Sequence, residues 1–205
     1  MGSIWLGLLV ILVGYLLGSI PWAYIITRWK KGADIREVDS THNVGSASVI
    51  RQVGKWYGII VGAADAAKGA VTVLIALALQ LSEPWVLAAA FAAVIGHGFP
   101  IYIRFRGGQG MATLVGIYLV LAPWAALTFL ALIGIFLLFI RNIFLSMVIS
   151  GPWTPLLVWI YGGSPILIAF SLFIVGYMVM RNYTGFIQFK EAKLANPFSR
   201  NRDSP

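Results

Sequence analysis

The sequence predicts an all-α, polytopic membrane protein of seven transmembrane helices, with its N-terminus outside and its C-terminus cytoplasmic. Three observations lead there. Of the 205 residues 60% are hydrophobic and 11% are charged, whereas an ordinary soluble domain carries about 25% charged residues. The apolar residues gather in runs near the roughly 20 residues that cross a bilayer. Lysine and arginine collect in alternate connections between those runs, which is the asymmetry that orients a membrane protein.

The first span, 4–27, is interrupted near its end by Gly18-Ser19-Ile20-Pro21. It lacks a basic leader and a small-residue cleavage site, so it reads as a retained span. After the polar stretch 28–55 comes a second span, 56–81, closed by a Glu83-Pro84 turn. A third span, 85–103, runs into an arginine–glycine elbow at 104–110. The next apolar stretch, Met111–Ile140, is too long for one perpendicular helix. Ala122-Pro123 disfavours a continuous helix there, so it divides into spans 111–122 and 124–140. Spans 143–161 and 166–180 complete the set, and 195–205 reads as a flexible tail. The whole chain, 1–205, forms a single domain. The fourth and seventh spans are short, and a five-crossing alternative, in which such short runs are re-entrant, keeps most connections on the same sides.

Seven crossings from an outside N-terminus put 28–55, with six Lys or Arg, on the inner face together with 104–110, with two. The 141–142 connection adds one and the residues after 180 add five, while the opposite turns hold none. The remaining basic residue, Lys68, lies inside a span. The formal net charge of +8 therefore reports orientation and anionic headgroups, and no nucleic-acid partner is expected. The chain has no cysteine, which removes disulfides and thiolate metal sites. No H-E-x-x-H, G-x-S-x-G or carboxylate pair occurs. Neither a metal nor a cofactor is expected.

Three polar elements can carry chemistry. The first, "DSTHNVGSASVIR" at 39–51, gathers hydroxyls, an amide and the Arg51 guanidinium, groups that donate hydrogen bonds to fixed negative charge; it reads equally as a solvated loop with a helix cap. In the second, Asp65 and Lys68 sit three residues apart, on one helix face. Ionisable groups inside a span face a cavity or a partner. Lys68 is about three turns and more from the inner end of its helix, which fits positioning better than proton transfer, and an ion pair that only fixes packing is the alternative. The third is "GHGFPIYIRFRGGQGMAT", 96–113. Its glycines permit a turn with successive amides pointing inward, an anion nest. A helix starting near Met111 adds its positive end, and Arg106 can grip a phosphate with two hydrogen bonds. His97 is either a general base or a structural helix-end histidine, and His42 reads the same way. The spacing fits neither dinucleotide nor Walker patterns.

These residues together resemble the bacterial acyl-phosphate-dependent glycerol-3-phosphate acyltransferases, the PlsY type, over nearly the whole chain. "GHGFPIYIRFRGGQGMAT" is similar to that family's G-H-x-x-P…F-K-G-G-K-G-x-A-T element. "NVGSASVIRQVGKWYG" and "DAAKGA" resemble its N-x-G-x-T-N-x-x-R…G and D-x-x-K-G elements. The resemblance implies an enzyme of the bacterial cytoplasmic membrane with its active site on the cytoplasmic face. Its substrates would be acyl phosphate and glycerol 3-phosphate, and its products lysophosphatidic acid and inorganic phosphate. It implies Ser40 and His97 as catalytic residues. The substrate-binding positions it implies are Thr41, Asn43, Gly45, Arg51, Lys68, Arg106, Gly107, Gly108 and Gly110. The family's G-S-G-N is here "DSTHN", so either Ser40 or Thr41 stands in for the family serine. Ala47-Ser48, Arg106 and Gln109 replace T-N and two lysines, and "RNYTGF" lacks the family's His and acid. A paralogue that binds phosphate-bearing lipids without turnover is the alternative that these replacements raise.

Overall fold

The structure is a computed structural model that describes residues 2–195. The tail expected over 195–205 lies outside them, apart from Ala195. All regular structure among the described residues is helical, as expected, and five segments are long and apolar enough to cross a membrane: Ile4–Lys31, Lys55–Ala78, Glu83–Ile103, Pro123–Ile140 and Pro165–Tyr183. Two shorter apolar stretches, Met111–Leu121 and Leu145–Ile160, lie where the other two spans are expected.

The breaks follow prolines. Helix α1 (Gly2–Gly18) stops at Ser19-Ile20, and α2 (Trp22–Lys31) starts after Pro21, which has no amide to continue the ladder. Two short helices, α3 (Ile35–Val38) and α4 (Ser46–Gln52), lie in the polar stretch before α5 (Lys55–Ala78). Helix α6 (Glu83–Gly98) ends before Pro100, short of the expected 103, and a 3-10 turn covers Ile101–Ile103. The expected break at Ala122 separates α7 (Met111–Leu121) from α8 (Pro123–Ile140), with Pro123 in the first turn. The span expected at 143–161 is two helices, α9 (Ile143–Ser150) and α10 (Thr154–Ile160), joined by a 3-10 turn at Gly151–Trp153. Pro152 and Pro155 each remove an amide there. The last helix, α11 (Pro165–Ala195), does not stop at 180. No proline follows in that stretch to stop it.

Helix α1 packs along α6, and α5 along α7. Both contacts bring backbones together at small residues, the usual solution where lipid offers no hydrophobic drive between helices. A β-carbon on Gly116 would stand 1.8 Å from the Ala66 carbonyl oxygen, and one on Gly18 2.1 Å from that of Ala93. Large apolar side chains point outward, among them Trp5, Trp56, Leu138 and Phe139, each more than 70% exposed. Such a surface is compatible with lipid and not with water.

Candidate active site

The 39–51 stretch is organised by a residue absent from the sequence-derived candidates. Asp39 is fully buried and collects four side-chain donors. Arg51 Nε donates to its Oδ1 at 3.0 Å and Arg51 Nη2 to its Oδ2 at 2.9 Å. Ser48 Oγ donates to Oδ2 at 3.0 Å, and the Thr41 hydroxyl donates to the same oxygen. Burial pushes the Asp39 carboxyl up, but the hydrogen bonds from Arg51, Thr41 and Ser48 outweigh it and hold the group far below the usual carboxylate range. Of the two candidate hydroxyls, Thr41 belongs to this network. Ser40 is exposed, and its hydroxyl makes no hydrogen bond among the described residues. Gly45 caps α4 in an extended conformation, and Asn43 folds back beside it, half-buried.

Asp34 caps α3 by accepting from the Arg36 amide at 2.9 Å, and its carboxylate grips the Arg36 guanidinium. Hydrogen bonding to that guanidinium holds the Asp34 carboxyl below its ordinary value. Arg36 Nη1 reaches the Ile103 carbonyl at 2.8 Å. His42, in the left-handed region at φ 50°, has its Nδ1 2.6 Å from the Arg36 carbonyl oxygen. Because a carbonyl only accepts, Nδ1 carries the proton and Nε2 is the free ring nitrogen.

Asp65 and Lys68 form the expected pair, 2.9 Å apart and both buried. His97 Nδ1 stands 3.6 Å from the same carboxylate. Lys68 Nζ also donates to the Ile20 carbonyl at 3.0 Å, an oxygen at the proline break between α1 and α2 that accepts from the Trp22 amide as well, at 3.2 Å. The lysine therefore ties α5 to the break between α1 and α2. This group sees a crevice of only about 10 Å³, and neither Lys68 nor His97 lines the larger cavities.

The expected inward amide nest does not form at 107 and 108. The Gly107 amide donates to the Gly98 carbonyl at 3.2 Å and the Gly108 amide to that of His97 at 3.1 Å. The elbow lies flat on the end of α6, and glycine is required for that approach. A β-carbon on Gly108 would fall 2.3 Å from the Val44 carbonyl oxygen and 2.4 Å from His97 Nε2. Gly110, at φ 89°, caps α7 in the left-handed region, and the first turn of α7 keeps the positive end expected of a helix N-terminus.

Two cavities border this elbow. A polar pocket of about 350 Å³ is lined by Arg36, His42, Phe99, Phe105, Arg106, Gly107 and Arg181. An apolar cavity of about 390 Å³ runs between α7, α8, α9–α10 and α11, and Gln109 and Asn182 are among its few polar lining residues. Gly108 alone stands between Gly107 of the polar pocket and Gln109 of the apolar cavity, and Arg181 and Asn182 are neighbours in the chain. Three guanidiniums suit a phosphate, and an apolar slot within the helices suits an alkyl chain. Arg36 and Arg181 escaped sequence reasoning. Arg181 is simply the first charge after an apolar run, and Arg36 sits in a polar loop with no pattern of its own.

The glycerol-3-phosphate acyltransferase family model matches residues 8–189. A glycerol-3-phosphate acyltransferase of Syntrophotalea carbinolica is 39% identical over 176 residues, 85% of this chain and 89% of that one. Two crystal structures of PlsY, described as an integral membrane glycerol 3-phosphate acyltransferase, share the fold at 26% identity. Its glycerol 3-phosphate form gives a TM-score of 0.84, covering 94% of this chain and 99% of that one. Its lysophosphatidic acid form gives 0.82, covering 91% and 93%.

Proposed function

The chain belongs to the glycerol-3-phosphate acyltransferase family, and from that premise we propose that it moves a fatty acyl group from acyl phosphate to the 1-hydroxyl of glycerol 3-phosphate. The products are lysophosphatidic acid and inorganic phosphate. The observation that carries this reading is the placement of the tri-arginine pocket and the apolar cavity on either side of the elbow. Phosphate and alkyl chain, the two ends of the donor, then lie on opposite sides of the elbow, and the bond to be broken lies over Gly107–Gln109.

In this reading Arg106, with Arg36 and Arg181, holds phosphate, and His42 borders it. Gly107, Gly108 and Gly110 let the backbone pass beneath the reacting carbon. Arg51 and Thr41 act through Asp39 to fix the loop that carries Asn43 and Gly45. Lys68 and His97 fix the ends of α1 and α6 from within. Ser40 contributes an exposed hydroxyl on that loop. Acyl phosphate brings its own leaving group, so orientation and charge stabilisation supply the acceleration. Seven crossings with the arginine-rich connections inside put the pocket at the cytoplasmic face of a bacterial inner membrane, a placement supported by the Lys and Arg asymmetry.

The test is purified protein with acyl phosphate and labelled glycerol 3-phosphate, followed for labelled lysolipid. Turnover is expected, and Arg106→Ala should remove nearly all of it while the protein stays folded. Full activity in Arg106→Ala refutes the phosphate role. Ligand-dependent thermal stabilisation without lysolipid from the parent protein favours the non-catalytic alternative.

A further inference from the structure

The face of α11 against the elbow carries two buried hydrogen-bond donors that pair with nothing. Tyr177 Oη and Arg181 Nε have no hydrogen-bond partner among the described residues. They are four residues apart, so they stand one above the other on the helix. Neither is loosely held. Arg181 Nη2 donates to the carbonyl oxygens of Gly98 at 3.1 Å and Gly108 at 3.4 Å, and its guanidinium lies 4.7 Å over the Phe99 ring. The Tyr177 ring meets the edge of Phe91 at 5.5 Å.

Both donors converge on one small space. A carbon built out from the Gly98 backbone would stand 3.3 Å from Tyr177 Oη and 3.7 Å from Arg181 Nε. The Gly108 carbonyl oxygen, 3.7 Å from the same point, bounds the space on a third side. The space lies at the boundary between the cavities: Arg181 lines the polar pocket, while Met178 and Asn182 on the same helix line the apolar one. Tyr177 itself lines neither cavity.

We propose that Tyr177 Oη–H and Arg181 Nε–H are the oxyanion-binding pair for acyl transfer. This inference rests on the acyl-transfer reading above. The acceptor hydroxyl oxygen bonds to the acyl carbon, and the carbonyl π electrons move onto the carbonyl oxygen, which the two donors hold. Collapse re-forms the carbonyl and breaks the carbon–oxygen bond to phosphate. The hydroxyl proton leaves with that phosphate. The donors are fixed before the charge develops, which is what makes such stabilisation effective. A buried donor without a partner is costly, and a bound oxygen relieves it.

Tyr177→Phe removes one donor and keeps the ring packing. Its kcat should fall by about 100-fold, with KM for both substrates changed by less than about twofold, since the lost contact forms only in the transition state. Gly98→Ala, which fills the space, should reproduce the kcat loss. A long-chain 1-hydroxyalkylphosphonate, tetrahedral at the corresponding carbon, should raise the Tm of the parent protein and raise that of Tyr177→Phe much less. Inorganic phosphate should stabilise both equally. An unchanged kcat in Tyr177→Phe, or a raised KM alone, overturns the assignment, the second by making the pair a phosphate anchor. If the parent transfers no acyl group, the acyl-transfer reading fails; equal stabilisation of both proteins by the phosphonate then overturns the pair on its own.

Discussion

Arg51→Ala tests whether Asp39 organises the serine–threonine loop. Arg51 holds the Asp39 carboxylate through contacts of 2.9 and 3.0 Å. At an effective dielectric of about 20, charges about 4 Å apart attract by about 4 kcal/mol. The Arg51 side chain is 44% exposed while that of Asp39 is 0% exposed, so solvent removes part of this. Fully exposed pairs retain about 0–1 kcal/mol, and breaking a fully buried pair costs about 3–5 kcal/mol. Thr41 and Ser48 still serve Asp39 after the substitution. The expected loss is about 2 kcal/mol, or about 4–8 °C in Tm for a chain of this size. Thermal unfolding in detergent micelles measures it. A double-mutant cycle with Asp39→Asn should return a coupling of about 1–2 kcal/mol.

The same variant carries a pH signature. The folded Asp39 carboxyl is held below its unfolded value of about 3.9. Its contribution is therefore complete above that value and is lost as pH falls toward the folded one. Arg51→Ala should flatten the loss of stability below about pH 4. Additive single substitutions with an unchanged acid limb would refute the hub.

Lys68→Met leaves Asp65 buried without its ammonium and takes one of two donors from the Ile20 carbonyl. A loss of about 3–5 kcal/mol is expected in chemical unfolding, and adding Asp65→Asn should recover more than half of it. Gly108→Ala drives a β-carbon into the Val44 carbonyl and the His97 ring, so turnover should collapse together with Tm. Gly134→Ala meets nothing within 4 Å and should leave both within about 0.5 kcal/mol of the parent; a tolerated Gly108→Ala would show that the elbow does not lie flat on α6.

The apolar runs, the proline breaks at 21 and 123 and the Asp65–Lys68 pair were all legible in the sequence. Each is local. Run length, a missing amide and a three-residue helical spacing need no knowledge of distant chain. The glycine elbow was legible as a special backbone, but its purpose was not. Glycine serves a turned-in amide as well as a close approach, and only the position of α6 shows that two of its amides face carbonyls. Asp39 lay at the edge of the polar stretch with nothing to mark it, because its role is made by Ser48 and Arg51, up to twelve residues away. Arg36, Arg106 and Arg181 are separated by long stretches of chain, and the helix packing alone gathers them into one pocket. The sequence by itself determined that this is a helical membrane protein of a recognisable acyltransferase type, because solvent preference and backbone restriction act residue by residue. Tertiary structure decided which cations share a pocket, where the alkyl cavity opens and which donors stay unpaired, because those depend on side chains that meet only when helices pack.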